Sequence, residues 1–544
     1  MNFLNNKLFG ILTSLLLIIF AATSCKKFLD VNTDPNNLTS SKVPYIMTGA
    51  LSNTVRIQIT SNVHVVAGTW SGFYGHSTSY TGGGNEKTYV VTNTQFDWMT
   101  TIYDNIYDYQ KVIERADAEG VGFWKDPAVI MQCYDYARLV DIYGDVPFTD
   151  AVHDLSNLTP KYDKQEDIYD SLIIRLDNAM ASMQAASWPT ASDVTRQDIL
   201  FGLNKTDWIH FANTLKLRLL LHQDFMGTRD AYIVSNVQST ANLGYLDKNV
   251  VIQPGYAATS GKLNPYYSLY GFDESNTVTT NFRYRKMNKV IIDWLKITHD
   301  DYRLQGLAWP QGTIVTSPLP TWPSTASSYT YKGVPMGAGS GASNSTSSAM
   351  GPFYIQRGVT SSQTGPLVLF TLAESKFLQA EAAVKYPALA TDLGDPATNY
   401  NDGVHAHFRL VGNMCYEVGA GNIINNAGNT QADAAYSAYI AQPIANVNWA
   451  ASSDKLRAIL IQKWVSFVHI NGLEAWTDYR KSSVTSENGH TFYSVPLDPR
   501  SQVGIGNEPV RMIYPQIEFT TNGNNVPKGI DHIQDSPIFW DVNN

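Results

Sequence analysis

Few residues in this chain have the types and spacing that catalysis or metal binding requires. The nearest metal pair is His405 and His407, but on a helix their side chains would point about 200° apart. The stretch 337–342, GAGSGA, has the spacing of a dinucleotide-binding loop, yet no hydrophobic strand leads into it, which favours a linker. Zinc-protease, Walker A, CxxC and GxSxG patterns are missing from the sequence. We therefore expect no catalytic residue, metal or cofactor, although a glycosidase pair of acids would leave no motif.

Cys25 is the one residue whose position predicts a covalent modification. Residues 1–24 contain Lys7, an apolar run from Leu8 to Phe20 and small residues before the cysteine. The run is shorter than the ~20 apolar residues that span a bilayer, which indicates a cleaved secretory signal. A cysteine directly after the small residues resembles a bacterial lipobox, so we expect a lipid on Cys25 and a protein held at a membrane outside the cytoplasm. An ordinary signal peptide followed by a chance cysteine is the alternative.

Aromatic rings in loops rich in glycine, serine and proline are the second candidate, in this case for ligand binding. Flat sugar faces stack on such rings, and neighbouring amides or carboxylates bind the hydroxyl groups. The chain has 31 Tyr and 12 Trp, which cluster in segments 67–89 and 302–331. We expect ligand contacts first in segment 302–331, at Trp309, Trp322, Tyr329 and Tyr331, and next in segment 67–89, at Trp70, Tyr74 and Tyr80. The alternative is that these rings pack the loops or contact a protein partner.

Composition limits the partners and the redox chemistry. The net charge of −9 argues against nucleic acid, because such a partner requires a basic patch. The chain that follows residue 24 is long enough for two lobes or for one large domain with long insertions. Cys133 and Cys415 are too few for a disulfide framework. We expect Cys133 to be a buried free thiol, and the sequence leaves a bridge between the two cysteines open.

Helical periodicity marks the elements that would position these residues. Apolar residues recur every three or four positions in several stretches. The predicted helices are 98–119, 127–143, one capped by Asp163 and Glu166, one through Trp208 to Leu219, one within Leu367 to Val384, and one through Leu456 to Phe467 capped by Ser452 or Ser453. Between them, 250–360 and 485–544 are loop-rich. Such helices look like degenerate tetratricopeptide pairs, although no strict repeat is present.

Three blocks of sequence span nearly the whole chain after residue 24. They are CKKFLD at 25–30 with NTDPN at 32–36; ARLVDIYGDVPFTDA at 137–151 with PKYD at 160–163 and QEDIY at 165–169; and LAESKFLQAEA at 372–382 with QKW at 462–464 and EAWTDYR at 474–480. Together, in this order, they resemble the SusD/RagB family of outer-membrane nutrient-binding lipoproteins, in its SusD-like branch. From the residues alone the blocks read as structural: Gly144 permits a turn of positive φ, and Trp464 and Trp476 are expected in the core.

The resemblance implies a mainly α-helical protein, in which tetratricopeptide-like helix pairs form a scaffold beside a large loop-rich lobe. The implied divisions are a signal peptide at 1–24, a lipid-anchored tether at 25–44 and a nutrient-binding domain at 45–544. The implied partner is a SusC-type TonB-dependent outer-membrane barrel, over which the protein would close as a lid. It would bind an oligosaccharide, or an oligopeptide as in the RagB type, at the cell exterior without converting it. A surface glycan hydrolase and a purely structural adaptor are the alternatives.

Overall fold

The computed structural model describes residues 41–77, 86, 89–189, 196–312, 330–335, 346–415, 420–482 and 508–542. Helices dominate this part of the chain. They are α1 (Val43–Thr60), α2 (Asn62–Trp70), α3 (Trp98–Arg115), α4 (Lys125–Tyr143), α5 (Gln165–Ala185), α6 (Lys205–Leu221), α7 (Asp230–Thr240), α8 (Pro265–Tyr270), α9 (Thr280–Tyr284), α10 (Lys289–Ile297), α11 (Asp301–Leu307), α12 (Thr360–Thr364), α13 (Leu372–Lys385), α14 (Ala390–Leu393), α15 (Pro396–Cys415), α16 (Ala420–Ile424), α17 (Thr430–Ile440), α18 (Lys455–Ser466), α19 (Gly472–Ser482) and α20 (Gln516–Thr521). The strands are β1 (Tyr74–His76), β2 (Val250–Ile252), β3 (Arg285–Met287) and β4 (Leu367–Phe370).

The long helices pack on one another in chain order and form the scaffold. Helix α3 packs on α4, α4 on α5 and α5 on α6, while α13 packs on both α15 and α18. Their facing side chains belong to one hydrophobic core, because each helix must bury an apolar stripe against a neighbour. The predicted mainly-α fold with tetratricopeptide-like helix pairs is confirmed. Helix α1 begins at Val43, inside the predicted tether. Within the described residues no helix has both the length and the apolarity needed to cross a bilayer.

Two predicted helix caps are wrong. In one helix a different side chain caps the N-terminus, and in the other the predicted cap hydrogen-bonds to a neighbouring loop. Asp454, rather than either serine before it, caps α18 by accepting a hydrogen bond from Arg457 N at 2.9 Å. Asp163 does not cap α5, since its carboxylate accepts from the backbone N–H groups of Phe148 at 2.8 Å and Thr149 at 2.9 Å. That carboxylate therefore fixes the chain after α4 rather than the start of α5.

The predicted helix from Leu367 begins instead with a strand. Residues Leu367–Phe370 form β4, which pairs antiparallel with β2 through a register shift. All four side chains are buried, and a short continuous apolar run cannot be assigned to strand or helix by periodicity. Thr371 then caps α13 by accepting from Glu374 N at 2.9 Å. The tract 250–360, predicted to be loops, also contains α8 to α11. Helices α8, α9 and α11 have five to seven residues and are too short to produce a periodic pattern, whereas α10 buries Ile291, Ile292 and Leu295 on one face, a pattern that the sequence analysis missed.

Charged residues from the third sequence block meet in the interior as a buried ionic network. The Glu381 carboxylate of α13 forms ion pairs with Lys463 of α18 and Lys481 of α19, and each Nζ lies 2.5 Å from a carboxylate oxygen. Arg218 of α6 donates through Nε to Glu374 at 2.7 Å. Lys463, Lys481 and Glu381 are 0–1% exposed, so each charge depends on its partners. The network thus ties four helices together, beside the buried Trp464 and Trp476 that the sequence predicts in the core.

The turn after α4 holds the C-terminal part of the chain. Gly144 has φ 75°, which confirms the predicted turn of positive φ. Met512 N donates to the Ile142 carbonyl at 2.7 Å, and the Tyr514 hydroxyl donates to the Asp145 carbonyl at 2.6 Å. The second sequence block therefore acts as a docking point for residues 508–542.

Cys133 and Cys415, the cysteines among the described residues, are buried and free. The prediction of a buried free thiol at Cys133 is confirmed, and the bridge that the sequence left open is not formed. Burial raises the pKa of the Cys133 thiol to about 11, so this thiol is protonated and unreactive near neutral pH.

Candidate ligand-binding site

The two predicted aromatic segments meet in one small layer. Strands β1 and β3 pair antiparallel, and Tyr74 lies opposite Met287. Isolated bridges join Asn288 to Val334 and Ala308 to Met350. We call the two strands, together with residues 308–309, 330–335 and 346–350, the β1–β3 layer. Segments 67–89 and 302–331, which are distant in sequence, are therefore neighbours in the fold.

Trp309 and Tyr331, from the favoured segment, are part of the interior of this layer. The Trp309 backbone N–H donates to the Ala349 carbonyl at 3.0 Å, and its indole N–H donates to the Ile355 carbonyl, also at 3.0 Å. The side chain is 3% exposed, and Tyr331 is 8% exposed. The Trp309 residue thus joins neighbouring segments of the layer, and the Tyr331 ring is buried beside it in the same core.

Trp70 and Tyr74, from the other segment, are also buried. Trp70 packs against Trp476 with ring centroids 4.8 Å apart. The Tyr74 hydroxyl lies 2.9 Å from His64 Nε2 and 3.2 Å from His469 Nδ1. A Cβ on Gly68 would lie 2.7 Å from the Tyr74 ring, so the glycine makes room for the aromatic side chain. The glycine-rich composition here reflects close packing rather than an open loop.

These four rings have no face open to a ligand in this structure. Trp70, Tyr74, Trp309 and Tyr331 are at most 8% exposed, and Trp70 and Tyr74 contact Trp476 and His469 from a distant part of the chain. One sequence does not reveal which side of a loop ring meets the core. Trp322, Tyr329 and Tyr80 lie outside the described residues, as does Cys25, and their roles stay predictions. The segments that contain the three aromatic residues leave the described chain at Ser77 and Gly312, beside the layer.

A buried group of charges supports the edge of the layer. Glu86 Oε1 accepts from Arg285 Nη1 at 3.0 Å and lies 2.9 Å from His76 Nε2, which Arg285 Nη1 also approaches at 2.7 Å. Burial alone would raise the pKa of the Glu86 carboxyl, but the His76 hydrogen bond and the Arg285 charge lower it to about 2. Beside this group, burial lowers the pKa of Lys286 to about 8, and its Nζ reaches the Phe282 carbonyl at 3.4 Å. The group holds residue 86 against strand β1.

A cleft of about 540 Å³ opens at the other end of α11, and we call it the aromatic cleft. Its lining comes from α11, α15 and α17 and comprises His299, Asp300, Asp301, Tyr302, Phe408, Gln431, Ala434, Ala435, Ala438, Tyr439 and Gln442. Tyr302 and Phe408 stack with centroids 5.7 Å apart and 19° between planes. Alanine methyl groups form one wall, and amide, imidazole and carboxylate groups form the rim. The volume and the mixture of groups suit a small neutral ligand.

A buried ion pair fixes the floor of the aromatic cleft. Arg303 Nε donates to Asp300 Oδ2 at 2.5 Å, and both side chains are 0% exposed. The Arg303 guanidinium also lies over the Phe408 ring, 4.6 Å from its centroid, and over Tyr439 at 4.9 Å. Burial raises the pKa of Asp300, while the Arg303 charge opposes that shift. These contacts hold the rings in place before any ligand arrives.

The two histidines that sequence analysis considered as metal ligands serve different contacts. His405 Nε2 lies 2.7 Å from Asp433 Oδ1, and the His405 ring stacks on Tyr436 at 4.3 Å. His407 is buried and accepts from Arg303 Nη1 at 3.3 Å through Nδ1. Within the described ranges, no group of three or more His, Cys, Asp or Glu is arranged to hold a metal ion.

Sequence reasoning missed the lining of the aromatic cleft. Phe408 and Tyr439 lie on helices and read as ordinary core residues, and the gap beside them arises only from how α15 and α17 pack. The signal available in the sequence was the spacing of Ala434 and Ala438, which are one helical turn apart and leave little side-chain volume on that face of the helix.

Solved structures with the same fold come from several bacteria. A structure described as a chitin-binding protein has TM-score 0.66 and 21% identity, covering 91% of this chain and all of its own. A chitin-binding SusD homolog from Flavobacterium johnsoniae has TM-score 0.65 and 20% identity, covering 92% of this chain and 99% of its own. A SusD homolog from Bacteroides fragilis has TM-score 0.69 and 17% identity, with coverages of 92% and 99%. These likenesses establish the fold.

The sequence comparisons then establish the family. A search of curated proteins finds no match. A family model described as SusD-like, starch-binding and associating with the outer membrane, matches residues 35–501. The match covers most of the chain, and the family is one of binding proteins rather than enzymes. The chain therefore belongs to the SusD-like family of outer-membrane nutrient-binding proteins.

Proposed function

We propose that this protein is a cell-surface lipoprotein that binds an oligomeric nutrient, a glycan, and delivers it to a TonB-dependent outer-membrane barrel. In this proposal residues 1–24 are removed, Cys25 carries the lipid, residues 25–44 are the tether, and the folded body closes over the barrel as a lid. The observation that carries the proposal is the family match over residues 35–501. Two similar structures are described as chitin-binding, which favours glycan over peptide as the ligand.

The aromatic cleft supports a glycan ligand by its chemistry. Gln431 and Gln442 place amide groups at the cleft; Gln442 Nε2 donates to the Thr298 and Tyr439 carbonyls at 3.1 and 3.2 Å, which orients its Oε1 as an acceptor for hydroxyl groups. The exposed methyl groups of Ala434 and Ala438 give the C–H surface of a sugar an apolar contact, while the rings of Tyr302, Phe408 and Tyr439 are only 1–3% exposed and form the base beneath it. No lysine lines the cleft among the described residues, which suits a neutral ligand. We propose that this cleft holds one or two units of the oligomer and that Trp322, Tyr329 and Tyr80 contact further units.

A blocking variant tests the cleft. Ala438→Trp places an indole in the cleft from an exposed position of α17, and Ser437→Trp adds the same ring at an exposed position beside it that does not line the cleft. Calorimetry of the mature protein with chitotetraose, maltotetraose and an oligopeptide pool should give at least roughly ten-fold weaker glycan binding for the first variant only. Equal affinities in the two variants would reject the cleft. Binding of peptides alone would reject the glycan, and mass-spectrometric detection of products would reject a pure binding role.

Co-purification tests the partner. A lid must seal a pore mouth, so the interface with the barrel should exceed roughly 1,000 Å² and survive gentle detergent. Crosslinking in intact cells should recover the protein together with a TonB-dependent barrel. Recovery only as a free monomer would reject the delivery role while leaving ligand binding untouched.

The lipid anchor is testable separately. Cys25→Ala removes the proposed acylation site, so we expect the protein to leave the outer-membrane fraction. Cys133→Ala is the matched control, because Cys133 is buried within the fold and should not affect membrane attachment. Membrane association equal to wild type in the Cys25 variant would reject the lipobox.

A further inference from the structure

We propose that the protein has a second saccharide-binding site, specific for neutral sugars, in a cleft formed by its C-terminal segment. We call it the C-terminal cleft. It has a volume of about 800 Å³ and is lined by residues 89–93, by Ile513, Tyr514 and Phe519, and by residues 530–535. It shares no lining residue with the aromatic cleft. This inference goes beyond the proposed function, which requires only one ligand site.

The walls of the C-terminal cleft are held together without a ligand. Gln516 N donates to the Asn93 carbonyl at 2.9 Å, and Asn93 Nδ2 donates to Gln516 Oε1 at 2.8 Å. Val510 N donates to the Ile533 carbonyl at 2.8 Å, which joins the two C-terminal walls. A ligand would therefore meet a preformed cleft and would not need to order its walls, a cost that otherwise reduces affinity. The volume falls within the roughly 300–1,000 Å³ usual for small-molecule sites.

One wall presents an accessible aromatic face. Phe519 is 37% exposed, and no other ring packs against it among the described residues. This differs from Trp70, Tyr74 and Trp309, which are at most 3% exposed. The floor below Phe519 is apolar, because Ile513 and Ile533 are 6% and 1% exposed. The C–H face of a sugar ring stacks on such a surface.

The opposite wall presents polar groups with unused hydrogen-bonding capacity. The Asp531 side chain is exposed and makes no hydrogen bond or ion pair with any described residue. The side chain of His532 is 75% exposed and approaches only Asp535, at 3.3 Å. Gln534 Nε2 reaches the Tyr89 carbonyl at 3.5 Å, which is too long for a strong hydrogen bond. Carboxylate, imidazole and amide groups beside an aromatic face match the hydroxyl groups and the flat face of a sugar.

The charges of the cleft select against acidic ligands. Among the described lining residues, the ionisable side chains besides tyrosine are Asp531, Asp535 and His532, and neither lysine nor arginine is present. A uronic acid or a peptide carboxylate would meet like charges without a cation to neutralise them. Neutral hydroxyl groups can hydrogen-bond to the same carboxylates without charge repulsion. The cleft therefore favours neutral saccharides over acidic saccharides and over peptide carboxyl ends.

The test uses the mature protein and a panel of neutral oligosaccharides of glucose, mannose, galactose and N-acetylglucosamine, with galacturonate oligomers and a peptide pool as other classes. Phe519→Ala removes the ring. Ile517→Ala is the matched control, because Ile517 lies on the same helix, is 44% exposed and does not line the cleft. Phe519→Tyr keeps a ring at the position. Each variant is made both in the wild-type background and with Ala438→Trp, which blocks the aromatic cleft. Binding at the C-terminal cleft is then measured separately from binding at the aromatic cleft.

We expect calorimetry to show about three- to ten-fold weaker binding of a neutral saccharide in Phe519→Ala, with wild-type affinity in Ile517→Ala and Phe519→Tyr. Asp531→Ala should weaken the same saccharide. Both losses should persist in the Ala438→Trp background. Affinities unchanged by Phe519→Ala and Asp531→Ala, in variants that melt like wild type, overturn the site. Absence of binding by every neutral saccharide also overturns it, and a preference for galacturonate or peptide overturns the ligand class.

Discussion

Gly144 occupies a backbone conformation that side chains tolerate poorly, with φ 75° and ψ −122° at the end of α4. A Cβ there would lie 3.2 Å from Arg511 Nη1 and 3.2 Å from Gln165 Oε1. The turn therefore depends on glycine for its torsion angles and for the space that the docked C-terminal segment occupies. The YGDVP sequence is thus explained by folding, because its Asp145 carbonyl accepts from the Tyr514 hydroxyl and its Tyr143 carbonyl accepts from Arg511.

Gly144→Ala should lower the free energy of unfolding by about 1–3 kcal/mol, the usual cost of a residue held in a disfavoured conformation. Gly49→Ala is the matched control. Gly49 lies inside α1 with no atom within 4 Å of an added Cβ, so alanine should raise stability there by about 0.5–1 kcal/mol. Urea denaturation of both variants measures the two changes, and equal effects would contradict the role assigned to the turn.

Residue types alone could not separate ligand rings from packing rings. Tyr74 lies among glycines as a sugar-binding ring would, but Gly68 is small because the Tyr74 ring lies against it. Phe519, in contrast, is exposed beside a cleft and stands in a segment that the sequence marked only as loop-rich. The difference lies in which side of the backbone meets the core, and that is decided by contacts between segments hundreds of residues apart.

At the scale of elements, the buried ionic network gives α6 and α19 a pH-dependent connection. His222 Nε2 lies 2.8 Å from Glu474 Oε1, while its Nδ1 lies 2.9 Å from the Tyr169 hydroxyl and 3.7 Å from Asp141 Oδ1. Burial alone would lower the pKa of His222, but the charges of Glu474 and Asp141 raise it to about 9. The imidazole is therefore protonated near neutral pH and acts as a buried cation.

The raised pKa of His222 predicts a stability change with a defined sign. The folded state binds the proton more tightly than the unfolded state, whose histidine has a pKa of about 6.5. The contribution of about 3 kcal/mol is fully present below pH 6.5 and is lost as the pH rises through about 9. The difference in unfolding free energy between wild type and His222→Gln should shrink over this range. A difference that stays constant with pH would contradict a charged His222.

The same network predicts a contrast between buried and exposed ion pairs. Glu381→Gln removes the nearest carboxylate from the buried Lys463 and Lys481 and leaves them Asp478, 3.0 and 3.5 Å away, so it should cost about 3 kcal/mol. Asp293→Asn breaks the pair with Lys289 on α10, whose side chains are 43% and 57% exposed, and should cost less than about 1 kcal/mol. Thermal and urea unfolding measure both losses. Similar losses in the two variants would contradict the assignment of the network to the core.

The long helices of the scaffold could be predicted because periodicity persists over many residues, as in α3, α4 and α6. The elements that shape the candidate sites could not. Helix α11 has seven residues, β1 has three, and the bridges from Asn288 and Ala308 involve single residues. Each forms through contacts distant in sequence, which leave no local pattern. The two clefts are gaps between such elements, so only the folded chain reveals them.

At the scale of the whole molecule, the scaffold and the ligand surface are built from different parts of the chain. The helix pairs and the ionic network bury most of residues 137–147, 372–382, 462–464 and 474–480, and these residues hold the fold. Segment 67–89 reaches the C-terminal cleft at Tyr89, and segment 302–331 reaches the aromatic cleft at Tyr302. Both predicted aromatic segments therefore border an open cleft, although four of their rings are buried.

This division predicts that two tryptophans of one segment have opposite roles. Trp309 is 3% exposed and bonded to the Ile355 carbonyl, so Trp309→Ala should lower the free energy of unfolding by about 3–5 kcal/mol. Trp322 belongs to the chain that leaves the layer at Gly312 and returns at Thr330, and we predict that it contacts the glycan. Trp322→Ala should leave thermal stability unchanged and weaken glycan binding about ten-fold, measured by calorimetry. Loss of stability without loss of affinity in Trp322→Ala would show that this ring, like Trp309, packs the protein instead.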